Sequence, residues 1–80
     1  MTTYRLGTVA WFNDNEGEIR DSETNDTYYV HYSAIQSNDT FRELQKGQPV
    51  FYTLYTNLYM SQVDTVTVIF NNKELQDEAI

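Results

Sequence analysis

The chain has 80 residues, a formal net charge of −7, a hydrophobic fraction of 40% and no cysteine. It is long enough for one small domain with a thin core, and apolar enough to fold. The lack of cysteine excludes disulfides, thiolate nucleophiles and cysteine-based metal sites, and no apolar run approaches the length of a membrane span. No targeting segment is legible, so a cytoplasmic location without membrane contact is expected.

Short runs with a period of two, rich in Val, Ile, Thr, Tyr and Phe, predict strands near residues 4–13, 16–21, 27–32, 49–57 and 61–70. Residues 22–27 read as a polar turn. Residues 33–48 read as a long connection that opens with a helical turn at Ser33–Ile35. The ten residues from 71 are polar. Asn72 there is a candidate cap, but a helix that short is marginal alone, and a frayed tail is expected. Domain limits are thus 1–70 for the folded unit and 71–80 for the tail.

Strand parity assigns the core. Val9, Ile19, Val30, Val50, Leu54, Val66 and Val68 are expected inside. In the fourth strand Tyr52 shares the parity of Val50 and Leu54, which turns Phe51, Thr53 and Tyr55 outward. Two outward aromatics, Phe51 and Tyr55, mark a possible second contact surface.

Four blocks carry a family resemblance. The chain reads Gly7-Thr8-Val9-Ala10-Trp11-Phe12-Asn13, then Glu16-Gly17-Glu18-Ile19, then Tyr28-Tyr29-Val30-His31-Tyr32-Ser33-Ala34-Ile35, then Leu44-Gln45-Lys46-Gly47-Gln48-Pro49-Val50-Phe51-Tyr52. The first, third and fourth resemble the cold-shock domain motifs G-x-V-K-W-F-N, V-F-V-H-F-S-A-I and L-x-x-G-Q-x-V-x-F. The second stands where that family has K-G-F-G-F-I and keeps neither phenylalanine. The resemblance spans roughly residues 4–70. It implies an all-β, five-stranded antiparallel Greek-key barrel of the OB type.

It also implies a binding face. Cold-shock domains bind single strands by stacking bases on exposed aromatics while basic side chains neutralise phosphates. Carried over by motif, Trp11, Tyr29, His31, Tyr32 and Phe41 match stacking positions, and Trp11 is expected half-exposed although strict alternation would place it beside Val9. Glu16 and Glu18 fall where the family stacks its two phenylalanines, given a preceding loop about two residues shorter. An alternative alignment sets Gly17 at the earlier glycine, leaving only Glu18 at a stacking position. Ala10 replaces the usual lysine before the tryptophan.

The charge pattern reinforces that change. Residues 14–26 contain six acids, Asp14, Glu16, Glu18, Asp21, Glu23 and Asp26, against the single base Arg20. By itself such a run reads as a solvated loop, but part of it lies on the implied face. The remaining bases, Arg5, Arg42, Lys46 and Lys73, are dispersed. Losing two stacking rings costs ~2–6 kcal/mol at ~1–3 kcal/mol each, and the carboxylates repel phosphates.

No catalytic arrangement is legible. There is one histidine and no phosphate-binding glycine loop, and the two-residue spacing of His31 and Ser33 on a strand does not make a nucleophile–base pair. A calcium loop centred on Gly17 would place Phe12 where a carboxylate is required. No enzyme activity, metal or cofactor is therefore expected.

Two functions compete. In the leading one, the acidified face, carboxylates among Tyr, Trp and His, contacts a basic protein as a nucleic-acid mimic or inhibitor, from a monomer or weak dimer. In the alternative, the chain is a weak single-stranded RNA or DNA chaperone of the cold-shock type.

Overall fold

The structure, a computed structural model, describes residues 3–36 and 43–69. Five strands appear in the expected places: β1 (Arg5–Phe12), β2 (Glu16–Asp21), β3 (Thr27–His31), β4 (Pro49–Thr56) and β5 (Ser61–Val68). They close into a barrel in the order β1-β2-β3-β5-β4. The expected all-β five-stranded barrel is therefore present. The pairing is antiparallel except between β3 and β5, which meet in parallel at Tyr29 and Gln62. The connection after β3 is long because it leads to β4, which pairs with β1 and β5 on the far side of β5 rather than with β3. That connection opens with a 3-10 turn at Tyr32–Ala34, one residue earlier than expected. Ile35 then bridges Val66, seating the connection on β5.

Local chemistry fixes the turns. Asn13 closes the β1–β2 link: its Oδ1 accepts from the backbone N–H groups of Asn15 and Glu16, at 3.1 and 3.0 Å. That is an Asx turn, a conformation asparagine favours. Asn57 does the same for the β4–β5 hairpin, accepting from Tyr59 and Met60 at 2.8 and 2.9 Å. Asn25 sits at φ 69 in the turn before β3, the left-handed region that asparagine tolerates better than most residues.

The core contains Val9, Ile19, Val30, Val50 and Val66 as expected, joined by Ala34, Ile35, Leu44, Tyr52 and Val63. Leu54 and Val68 are only half-buried and pack against its edge. Thr53 is buried rather than outward. The register shifts beside it: Thr53 pairs with Thr65 but Leu54 pairs with Val63, so Asp64 is an extra residue in β5. A bulge breaks the period of two, and it lets Val63 and Val66, three apart, both point inward. Thr53 satisfies its hydroxyl there, 2.7 Å from that of Thr65.

The acidic run does not stay in solvent throughout. β2 alternates strictly, so Gly17, Ile19 and Asp21 point inward while Glu16, Glu18 and Arg20 point out. Asp21 is 2% exposed. Its carboxylate accepts from the Tyr52 hydroxyl at 2.5 Å, from Arg5 Nε at 3.0 Å and from the backbone of Glu23 and Thr24 at 2.8 and 3.1 Å. The Tyr52 hydrogen bond, ahead of the backbone and Arg5 contacts, holds the Asp21 carboxyl well below the usual carboxylate range despite burial.

Candidate nucleic-acid interface

Three strands, β1 to β3, present one outer face. A bulge creates it. Val9 pairs with Ile19, but the next pair along is Trp11 with Glu18, so Ala10 is the extra residue on β1. Val9 therefore stays inside while Trp11, two residues on, turns out, where it is 41% exposed. This is the physical reason that strict alternation fails at this tryptophan.

Glu18 pairs on its other side with Tyr29, and Glu16 pairs with His31. One outward row thus runs Trp11, Glu18, Tyr29 across β1, β2 and β3. It continues through Gln62 on β5 to Tyr55 on β4. Tyr32 stands beside His31, with ring centroids 4.7 Å apart and a tilt of 44°. Tyr28, by contrast, points inward and lies 6.2 Å from the Tyr52 ring.

The two carboxylates are tied to the rings they stand between. Trp11 Nε1 donates to Glu18 Oε1 at 3.0 Å, and the Tyr29 hydroxyl donates to Glu16 Oε1 at 3.0 Å. The latter bond raises the Tyr29 pKa, because the hydroxyl proton is held by an anion. These bonds use ring edges and leave the π-faces open. His31 Nδ1 accepts from the Ser33 backbone N–H at 3.2 Å and lies 2.9 Å from its hydroxyl, so the ring caps the 3-10 turn and is fixed in orientation. A shallow open depression lies beside this histidine, bordered by Asn13, Glu16, Tyr29 and Tyr32.

Of the residues expected on the face, the structure brings together Trp11, Glu16, Glu18, Tyr29, His31 and Tyr32. Phe41 lies outside the described residues. Phe51 and Tyr55 are both exposed but do not share a patch. Phe51 pairs with Leu6 on one side and Thr67 on the other, with Tyr4 nearby, whereas Tyr55 extends the row that contains Tyr29. Sequence reasoning missed Gln62, which joins that row only through the parallel β3–β5 pairing. Arg20 continues the outer face of β2 beyond Glu18.

A family model described as the 'Cold-shock' DNA-binding domain matches residues 5–69. The chain belongs to the cold-shock domain family. It is 37% identical over 70 residues to "Cold shock protein CapB" of Pseudomonas syringae pv. tomato, covering 86% of this chain and 100% of that protein. It is 34% identical over 70 residues to "Major cold shock protein CspA" of Pseudomonas aeruginosa, with the same coverage of 86% and 100%. It is 47% identical over 47 residues to "Cold shock protein CspC" of Bacillus subtilis, covering 58% of this chain and 70% of that one. In this cold-shock domain the middle strand of the face carries Glu16 and Glu18 on a register fixed by its neighbours. Both carboxylates thus occupy outer positions of the central strand.

Proposed function

We propose that this cold-shock domain binds single-stranded nucleic acid through Trp11, Tyr29, His31 and Tyr32, with lower affinity than a face carrying an aromatic pair on β2. The observation that carries this reading is the outward row on β1, β2 and β3, where the bulge at Ala10 turns Trp11 onto the same face as Tyr29. That arrangement supplies sequence-tolerant stacking surfaces. The family description and the names of the relatives support this alternative better than the protein-contact reading that led the sequence analysis. Glu16 and Glu18 lower the affinity by repelling phosphates, and Arg20 alone on β2 offsets little of that repulsion.

The test is titration of Trp11 fluorescence with mixed-sequence single-stranded oligonucleotides at low salt. Quenching with a dissociation constant on the order of 10⁻⁴ to 10⁻⁶ M is expected, the range of weak electrostatically assisted binding. Trp11→Ala, followed by anisotropy of a labelled strand, is expected to weaken it about fivefold or more. No binding at any oligonucleotide concentration, together with stoichiometric capture of a basic protein from lysate, would return the face to the protein-contact reading.

A further inference from the structure

Glu18 occupies the centre of the face rather than its rim. Its backbone pairs with Trp11 on one side and Tyr29 on the other. Cross-strand neighbours stand about 5 Å apart, so a base stacked on either ring lies within reach of the Glu18 side chain. One carboxylate oxygen, Oε1, accepts the Trp11 indole N–H at 3.0 Å. The other, Oε2, has no protein hydrogen-bond partner among the described residues. An ionised carboxylate is an acceptor only, with about four lone-pair sites. Glu18 therefore has acceptor capacity left, next to two stacking surfaces, and offers no donor.

Single-stranded bases are read on the edges they expose once unstacked. Those edges differ in how they meet an acceptor-only group. Guanine presents two adjacent donors, N1–H and the N2 amine, spaced to match the two oxygens of a carboxylate. Cytosine and adenine each present one amine beside an acceptor nitrogen. Uracil and thymine present a single N–H flanked by two carbonyl oxygens, both of which oppose a carboxylate. Phenylalanine at the same position would treat all of these alike, because every base has a π-face.

We propose that Glu18 is a specificity-determining residue that selects guanine, and discriminates against thymine and uracil, at the position stacked on Trp11 or Tyr29. Glu16 acts as a secondary acceptor two residues along the strand: its Oε1 holds the Tyr29 hydroxyl, which orients that ring beside Glu18. The substitution of carboxylates for stacking rings thus exchanges affinity for base selection. The proposal rests on the single-strand reading above.

The test uses fluorescence anisotropy of 3′-labelled heptamers: all-thymidine, and the same strand with a central dG, dC or deoxyinosine. Deoxyinosine keeps the N1–H of guanine and lacks the N2 amine. The dG strand is expected to bind about fivefold or more tighter than all-thymidine, the low end of what a bidentate base contact discriminates. The deoxyinosine strand is expected to lose most of that gain. Glu18→Gln, which keeps the shape and the acceptor for Trp11, is expected to bring the dG-to-thymidine ratio within about twofold. Equal affinity for all four strands, a deoxyinosine strand as tight as dG, or an unchanged ratio in Glu18→Gln would overturn the selection and leave single-strand binding standing. Failure of every strand to bind would overturn both.

Discussion

Asp21→Asn is the substitution that tests the reading of the barrel most directly. The carboxylate it removes is 2% exposed and takes four hydrogen bonds. Oδ1 accepts the backbone of Glu23 and Thr24, and Oδ2 accepts Tyr52 and Arg5. An asparagine oxygen retains the two backbone donors as a neutral acceptor. Its amide then faces the Arg5 Nε–H donor to donor, while the Tyr52 hydroxyl has to reverse. Hydrogen bonds to charged groups contribute about 1.5–3 kcal/mol each. Arg5 has a 36% exposed side chain and can turn to solvent, so its share belongs at the low end. The expected loss is about 2–4 kcal/mol. A domain of 80 residues holds only ~4–12 kcal/mol in total, so the variant should be folded but visibly weakened.

The assay is urea unfolding followed by Trp11 fluorescence and far-UV circular dichroism, at pH 7 and again near pH 3. With a slope near 1 kcal/mol/M, the midpoint at pH 7 should fall by roughly 2 M or more. The pH dependence has a definite sign. The folded-state pKa of Asp21 is depressed below its unfolded value, first by the Tyr52 hydrogen bond. Its contribution is therefore complete above the unfolded carboxylate pKa of about 4 and is lost as pH falls below it. The unsubstituted chain should lose stability along that limb, and Asp21→Asn should lose much less. A midpoint at pH 7 within about 0.3 M of the unsubstituted chain, or an identical acid limb in both, would refute the assignment.

Gly17→Ala should destabilise by about 1–3 kcal/mol in thermal melts, since its Cβ would run into the Trp11 carbonyl oxygen and lie 2.7 Å from Phe12 Cδ1; an unchanged melting temperature would mean that β1 and β2 are farther apart. Glu16→Phe combined with Glu18→Phe should tighten single-strand binding at least about tenfold, a gain of ~1.4 kcal/mol, read by anisotropy with mixed-sequence strands. An unchanged dissociation constant would show that these positions do not meet the strand. Burial, followed by the Asp21 hydrogen bond, pushes the Tyr52 hydroxyl well above the usual tyrosine range. Its stabilising protonated form persists as pH rises through 10 and is lost only above that, so ultraviolet titration should show one of the seven tyrosines ionising only as the barrel unfolds, and Tyr52→Phe should remove that step.

The strands and most of the core were legible because the strands keep a period of two away from their bulges, and Val9, Ile19, Val30, Val50 and Val66 fall on it. The errors collect at the two bulges. At Ala10 the extra residue turns Trp11 outward against parity, which only the family motif anticipated. At Asp64 the extra residue lets Val63 and Val66, three apart, both turn inward, and no local signal in the sequence marks it. Asp21 was read as one more member of an acidic run. Its burial follows from alternation along β2, but its partners, Arg5 and Tyr52, are 16 and 31 residues away in the chain. Gln62 was missed for the same reason, since a parallel pairing between distant strands has no signature in either strand.

The face was legible only through the family motif, and its altered chemistry only through departures from that motif. The barrel explains how such departures arise. Along β2, Gly17, Ile19 and Asp21 meet the core and its closing cluster, while Glu16, Glu18 and Arg20 meet solvent. A change at Gly17 drives a methyl group into the Trp11 carbonyl. A change at Glu18 disturbs one exposed hydrogen bond to an indole, worth about 1 kcal/mol or less. The positions that define the fold and those that define recognition alternate on the same six-residue strand, with very different penalties for substitution. Glu18→Phe should therefore leave the urea midpoint nearly unmoved while changing which strands bind. A large loss of stability in that variant would mean that the carboxylates hold the barrel together, and that the face was shaped by folding rather than by recognition.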